Sequence, residues 1–211
     1  MKKALTVQNV QNQNISRIPF GGQFYDAFRQ PQDKGVWLIY GDSGGGKSYF
    51  IMQLAKEFAK YEKVFYNLRE EEIDDSDFIE RTETLNMSEV KDNFLVQNYD
   101  YADCVTYLEK RNSPKVVVID SATYFFSNFE QYKNFKSQFS KKIILITAHA
   151  EGKKPRTDME RSINYNAKQK IFVSAYAAYC KGRTIGPNGG LFIIWKEGYE
   201  KARGSQLINE N

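Results

Sequence analysis

The octapeptide GDSGGGKS at residues 41–48 constrains this chain more than any other feature. It matches the phosphate-binding loop (P-loop) pattern, in which two glycines, a lysine and a serine stand at fixed offsets. The glycines let backbone N–H groups turn inward around phosphates, Lys47 supplies a positive charge, and the Ser48 hydroxyl can reach Mg²⁺. An ordinary glycine turn between a strand and a helix is the alternative interpretation. The residues expected to contact a nucleotide are Gly41, Asp42, Ser43, Gly44, Gly45, Gly46, Lys47, Ser48 and Tyr49.

The alternation of apolar runs with helical patterns predicts an α/β fold with a mostly parallel sheet. Runs such as 116–119 and 143–146 are apolar throughout, as in strands that helices cover on both faces, so three layers are expected. After Gly189 the pattern changes to strand, a turn at Gly198 and strand, which predicts a hairpin at the C-terminal edge of the sheet. Strands are expected near 36–40, 63–68, 94–97, 115–119, 142–147, 170–178 and 190–195, and helices near 47–60, 77–86, 101–111 and 126–139.

The composition indicates a single folded domain behind a polar N-terminal arm. The arm is predicted at residues 1–32 and the domain at 33–211, and the formal net charge of +4 does not by itself indicate a polyanionic partner. The isolated cysteines Cys104 and Cys180 favour neither a disulfide framework nor a zinc site. No apolar run reaches the roughly 18 residues of a membrane span, and the first residues lack a signal-peptide core. We therefore expect a soluble cytoplasmic protein with no membrane partner.

Acidic residues follow two of the apolar strands. Asp120 ends the run 115–120 at the edge where open α/β sheets bind ligands, and it is a natural acceptor for a water on Mg²⁺ opposite Ser48. The alternative is a helix cap together with Ser121. Glu70 follows the run 63–68 and could orient and polarise an attacking water. Its alternative is membership of a solvated acidic cluster.

The single histidine of the chain, His149, follows a third apolar strand. A polar side chain at this strand end would face the γ-phosphate of a nucleotide and could report its loss to the segment that follows. A purely structural histidine is the alternative.

The order of these parts resembles the RecA-fold ATPases, most closely the RadA and DnaB-type helicase branch and the minimal RecA-like recombinases of phages. The similarity lies in the P-loop, in VFYNLRE at 64–70, in VVVIDS at 116–121, in ITAHAEGK at 146–153, and in KARG at 201–204, which is similar to a KxRxG-type motif. The resemblance covers residues 34–205 and implies a three-layer, RecA-like P-loop NTPase fold, with ATP and Mg²⁺ as cofactors and Glu70 as the catalytic glutamate.

The same resemblance implies a head-to-tail homo-oligomer, either a ring or a filament. In the family, the two basic residues that match Lys201 and Arg203 reach into the ATP site of the neighbouring subunit. The chain is too short to hold the additional domains of RadA or DnaB. This favours a bare motor core, of the kind that phages or mobile elements encode.

Two segments could contact DNA. Cations that track phosphates and aromatics that stack on bases are what single-strand binding requires. The aromatic segment follows Asp120 and the basic segment follows His149. The alternatives are helix core for the aromatics and a solvated linker for the cations. The aromatic residues are Tyr124, Phe125, Phe126 and Phe129, and the cations expected to bind DNA are Lys153, Lys154, Arg156, Arg161 and Lys168. Lys170 and Tyr165 belong to the same basic segment.

Together these features predict an ATPase that acts on single-stranded DNA in recombination, annealing or replication and that DNA stimulates. A nucleotide-switched regulator or loader that binds a protein partner instead of DNA is the alternative. A small-molecule kinase would share the P-loop, but the strand-end Glu70 and the basic pair in the tail argue against it.

Overall fold

The computed structural model describes residues 3–182, 184–186 and 189–209. The outermost residues of the predicted arm, 1–2, and of the predicted domain, 210–211, lie outside this part of the chain. The strands are β1 Gly35–Gly41, β2 Val64–Leu68, β3 Phe94–Gln97, β4 Val116–Asp120, β5 Ile143–Glu151, β6 Lys154–Pro155, β7 Gln169–Ser174, β8 Ala177–Gly182 and β9 Gly190–Ile193.

Helices connect most of the strands, and each described helix is too short or too polar to cross a bilayer. They are α1 Val7–Gln11, α2 Gly22–Phe28, α3 Lys47–Ala59, α4 Ser76–Thr84, α5 Tyr101–Glu109, α6 Ala122–Phe125, α7 Phe129–Gln138, α8 Asp158–Asn166 and α9 Lys196–Asn209, with a 3₁₀ turn at Met87–Val90.

One sheet joins the strands in the order β3-β2-β4-β5-β1-β7-β8-β9, and the short β6 pairs with β5. In this order the strands β3, β2, β4, β5, β1 and β7 run parallel to one another. β8 is antiparallel to β7, and β9 is antiparallel to β8. Alternate residues of β1 enter two separate hydrophobic clusters: Trp37 and Ile39 pack on the α3 side, and Val36 and Leu38 pack on the α7 side. The prediction of a mostly parallel sheet with helices on both faces is confirmed.

The antiparallel edge of the sheet lies earlier in the sequence than the pattern predicts. The predicted strand 170–178 divides into β7 and β8, because Ala175 and Tyr176 have φ angles of 49° and 58° and turn the chain. The predicted turn at Gly198 and the strand after it are wrong, since both lie within α9. A Cβ at residue 198 would lie 2.3 Å from the ring of Trp195, so this glycine serves close packing rather than a turn.

The N-terminal segment has an exposed part and a buried part. Residues 3–17 are exposed, whereas Ile18, Phe20, Ala27 and Phe28 are buried in the core on the α3 side. The ring of Phe20 lies 6.3 Å from that of Trp37 on β1 and 5.3 Å from that of Phe58 on α3. The segment 18–28 therefore packs against the same core as the P-loop helix.

Candidate active site

The P-loop connects β1 to α3 at the carboxyl edge of the sheet. Gly46 has a φ of 97°, a conformation that residues with a Cβ rarely adopt. A Cβ at Gly41 would lie 2.2 Å from the carbonyl oxygen of Val173, so only glycine lets β1 end this close to β7. The loop leads directly into α3, a 13-residue helix that begins at Lys47. The unpaired N–H groups and the dipole of such a helix N-terminus favour a bound phosphate.

A hollow of about 450 Å³ lies over this loop. It brings together four residues that the sequence singles out: Lys47, Ser48, Glu70 and His149. These residues come from three chain segments that end at the same edge of the sheet, where parallel topology places their side chains side by side. The complete lining is Asp42, Ser43, Gly44, Gly46, Lys47, Ser48, Tyr49, Glu70, Glu71, Asp77, Arg81, His149 and Tyr176.

Glu70 and His149 are in contact within this hollow. Glu70 Oε1 lies 3.4 Å from His149 Nε2, and both side chains remain partly exposed, at 31% and 24%. His149 lies on β5 beside Gly41 in the parallel register of β1 and β5, which places the histidine next to the start of the P-loop. A water molecule that donates a hydrogen bond to the Glu70 carboxylate would therefore lie close to the imidazole of His149.

Asp120 ends β4, which lies between β2 and β5 in the sheet; it is 6% exposed and is not among the described lining residues of the hollow. The Tyr66 hydroxyl donates to its Oδ2 at 2.5 Å, and the Thr147 hydroxyl donates to its Oδ1. Burial and the negative charge of Asp120 raise the pKa of Tyr66 well above its usual value, so Tyr66 stays a donor. Each carboxylate oxygen keeps a second lone pair for a water. Tyr66 and Thr147 fix this carboxylate in place, which sequence reasoning did not anticipate.

No protein-family model matches the chain, and no curated protein matches its sequence. The similarities to known proteins are therefore similarities of structure. The flagellar accessory protein FlaH from Methanocaldococcus jannaschii superposes with a TM-score of 0.62 at 17% identity, over 84% of this chain and 93% of FlaH. This chain has the RecA-like ATPase fold. A KaiC-like protein from Pyrococcus horikoshii gives the same TM-score and identity over 85% of this chain and 99% of its own.

A buried arginine, Arg81, also lines the hollow, and the sequence analysis did not single it out. Arg81 of α4 is 6% exposed and donates two hydrogen bonds to Glu71, Nη1 to Oε2 and Nη2 to Oε1, each 3.0 Å long. Burial lowers the pKa of the Arg81 guanidinium, but the hydrogen bonds to Glu71 together with the charges of Glu71, Tyr66 and Asp120 raise the pKa overall. Arg81 therefore stays positively charged in the hollow that Lys47 also lines, with Glu71 as its counter-ion. Nothing in the spacing around Arg81 distinguishes it from a surface helix residue.

The turn between β7 and β8 is the second feature that the sequence did not reveal. The Tyr176 N–H donates to the carbonyl of Gly45 at 3.0 Å, and the Tyr176 carbonyl accepts from the N–H of Ile194 at 2.9 Å. The antiparallel edge of the sheet is thus hydrogen-bonded to the P-loop. The tyrosine ring packs edge-on against Trp195, with the ring centres 5.0 Å apart.

The basic pair of the tail lies away from the P-loop hollow. Lys201 and Arg203 are exposed on α9, and neither is part of the described lining. The Arg203 guanidinium lies over the ring of Tyr199, 5.6 Å from its centre, in a separate hollow that includes Gln23 and Lys196.

The five cations predicted to bind DNA fall into two groups: three are exposed at or next to the hairpin of β5 and β6, and two are hydrogen-bonded to other residues of the protein. Lys153 and Lys154 lie in the exposed hairpin of β5 and β6, and Arg156 follows it. The Arg161 guanidinium is held by Asp158 at 2.7 Å and by the carbonyl of Arg156 at 2.8 Å. Lys168 donates to Gln32 at 2.8 Å.

The aromatic segment after Asp120 lies mainly in the core. Phe125 and Phe126 are buried on the α7 side of the sheet, and Phe129 packs against the same cluster, whereas Tyr124 is 56% exposed. These positions fit the alternative of helix core. Both cysteines are buried too, and burial raises the pKa of the Cys104 thiol to about 12, which leaves it unreactive.

Proposed function

We propose that the protein binds ATP with Mg²⁺ and hydrolyses it. The observation that carries this proposal is the meeting of Lys47, Ser48, Glu70 and His149 in one hollow over a P-loop, within a RecA-like fold. In this scheme the P-loop backbone and Lys47 hold the β- and γ-phosphates. Ser48 and a water held by Asp120 would ligate Mg²⁺, which would offset the negative charge that develops on the phosphates.

The nucleoside would occupy a second hollow of about 420 Å³ beside the first. The two hollows share Gly46, Tyr49 and Tyr176, so a ligand with phosphates over the loop can continue into the second one. Its walls are mainly apolar and include the ring of Trp195, which suits the flat face of a base. Because the two hollows adjoin, a nucleotide is favoured over a free phosphate as the ligand.

Glu70 is the residue that we assign to activation of the attacking water. Its Oε1 lies within 3.4 Å of His149, whereas both oxygens of the neighbouring Glu71 are engaged by Arg81. Glu70 is therefore the carboxylate with an oxygen available to accept a proton from water. His149 would orient that carboxylate and respond when the γ-phosphate leaves.

Glu70→Gln is expected to lower kcat for ATP hydrolysis by about 10²-fold or more, the usual scale for a positioned general base. The amide keeps the shape of the side chain but cannot take the proton, so the affinity for ATP should stay close to that of the wild type. The matched control is Glu72→Gln, an identical change two positions along at an exposed residue outside the hollow. Full activity in Glu70→Gln with none in Glu71→Gln would move the catalytic role to Glu71.

We further propose that the ATPase acts on single-stranded DNA as a homo-oligomer. Exposed cations at Lys153, Lys154 and Arg156 support a polyanionic partner. The position of Arg203, exposed and outside its own phosphate hollow, supports a role at a neighbouring subunit.

ATP turnover measured with and without a 40-nucleotide single strand tests the DNA proposal. Turnover is expected to rise to a plateau as the single strand is added, because DNA binding would complete the active assembly. A duplex of equal length is the control and should stimulate less.

The alternative is a nucleotide-switched regulator that binds a protein. The structural similarity to FlaH, described as a flagellar accessory protein, favours this second candidate. It predicts ATP turnover that single-stranded DNA leaves unchanged, so the same measurement separates the two.

A further inference from the structure

A row of large apolar side chains crosses four strands on one face of the sheet. In the strand registers Tyr40 on β1 is opposite Phe172 on β7, Phe172 is opposite Tyr179 on β8, and Tyr179 is opposite Leu191 on β9. The ring centres of Tyr40 and Phe172 are 5.5 Å apart, and those of Phe172 and Tyr179 are 6.3 Å apart, with their ring planes inclined at 30°. Tyr179 and Leu191 are 41% and 40% exposed. This face of the antiparallel edge therefore presents rings to solvent.

Lysines flank this row of rings. Lys170 on β7 is directly opposite Lys181 on β8, an arrangement in which two like charges repel each other. Lys153, from the hairpin of β5 and β6, lies in the same groove of about 640 Å³. Among the described residues, no carboxylate lines it. A bound anion would relieve the repulsion between the two opposed lysines.

We propose that this groove is the binding site for single-stranded DNA, with bases stacked on Phe172 and Tyr179 and phosphates at Lys153, Lys170 and Lys181. The inference rests on the proposed function and gives it a location. Of the cations in the basic segment after His149, Lys153 and Lys170 belong to this groove. Tyr40 on β1 and Tyr179 and Lys181 on β8 come from strands that the linear pattern does not connect to that segment. Aromatic rings beside a row of cations are the two elements that single-strand binding combines.

The chemistry of the groove favours unpaired nucleic acid over other polyanions. Every nucleotide of a single strand carries both a phosphate and a flat base, so it matches the lysines and the rings together, whereas the carboxylates of an acidic protein surface match only the lysines. A DNA duplex has its base faces stacked internally, so it could use the lysines but not the rings.

The groove is also linked to the P-loop by the strands that form it. Tyr40 immediately precedes Gly41, and β7 continues from Phe172 to the turn whose Tyr176 N–H is bonded to Gly45. DNA bound on this face would therefore contact β1 and β7, the two strands that lead to the hollow over the P-loop. This connection gives DNA-stimulated hydrolysis a direct structural route.

The experiment measures binding of a fluorescein-labelled 20-nucleotide oligo-dT by anisotropy at several salt concentrations. For Tyr179→Ala the dissociation constant should rise about 5- to 150-fold, which corresponds to the loss of one stacked base. Tyr179→Phe should retain wild-type affinity. For the double variant Lys170→Ala/Lys181→Ala the slope of log K against log salt should fall by about 1.4, since each lost phosphate contact removes about 0.7.

The matched controls carry the same changes elsewhere. Lys91→Ala/Lys110→Ala removes two exposed lysines at the opposite edge of the sheet, and Tyr61→Ala removes a 46% exposed tyrosine at the far end of α3. Neither should alter oligo-dT binding. Retained binding of a fluorescent ATP analogue would show that each variant is folded.

The possible outcomes separate the groove from the wider function. Wild-type protein that binds oligo-dT while the groove variants bind equally well would overturn the groove and leave the DNA-dependent ATPase standing. An equal loss in the control variants would also overturn it, because the effect would then be one of general charge. Wild-type protein that hydrolyses ATP but does not bind oligo-dT would overturn both the groove and the action on DNA.

Discussion

Lys47→Ala is expected to lower kcat for ATP hydrolysis by at least about 10²–10³-fold, the scale for losing one preorganised electrostatic donor. The side chain is 8% exposed at the first position of α3 and lines the hollow over the P-loop. In the proposed mechanism its ammonium contacts the phosphates directly, and alanine leaves no charge in its place. Nucleotide affinity should fall as well, because the phosphates lose this charge in both the ground state and the transition state.

Single-turnover hydrolysis and binding of a fluorescent ATP analogue would measure the two effects separately. Lys60→Ala is the control, since it removes a lysine from the far end of the same helix, where Lys60 pairs with Glu57. A Lys47→Ala protein with unchanged turnover would remove the P-loop from the proposed mechanism. The buried Arg81 could compensate in part, and Arg81→Ala in the Lys47→Ala background should then abolish residual turnover.

Much of the candidate site around the P-loop could be predicted from the sequence because it depends on local patterns. A P-loop, and carboxylates at the ends of parallel strands, must come to the same edge once the strands are parallel. This topology brings Glu70 and His149 to one edge although they are 79 positions apart in the sequence, but their contact also depends on how the side chains reach across the end of β4. Arg81 could not be predicted, because its place in the hollow depends on how α4 packs and on its bonds to Glu71.

The antiparallel edge of the sheet was also hard to predict, because it too depends on contacts between distant parts of the chain. Ala175 and Tyr176 turn the chain with positive φ angles, yet neither is a residue type that favours such a turn. Hydrogen bonds from Tyr176 to Gly45 and from Ile194 to Tyr176 hold this conformation in place. Gly198 shows the opposite case, because glycine favours turns but this glycine lies within α9 and packs against Trp195. In both places tertiary contacts override the local preference.

Arg203→Ala is expected to lower turnover in the assembled protein by about 10³- to 10⁵-fold, the range for an arginine supplied in trans to a transferring phosphoryl group. Arg203 is exposed on α9 and lies outside the hollow formed by its own P-loop. In a head-to-tail oligomer it could instead enter the site of the next subunit. Nucleotide binding to the isolated subunit should therefore be unaffected. Arg111→Ala, at an exposed position between α5 and β4, is the control.

Mixing two defective proteins provides the strongest test of this role. Lys47→Ala subunits keep Arg203 but lack a working P-loop, and Arg203→Ala subunits keep the P-loop but lack the arginine. At an interface where Arg203 comes from a Lys47→Ala subunit and the P-loop from an Arg203→Ala subunit, a complete site forms. The mixture is therefore expected to regain part of the wild-type turnover per subunit, increasing with protein concentration. If both variants assemble together and the mixture stays as inactive as its components, Arg203 does not act across a subunit interface.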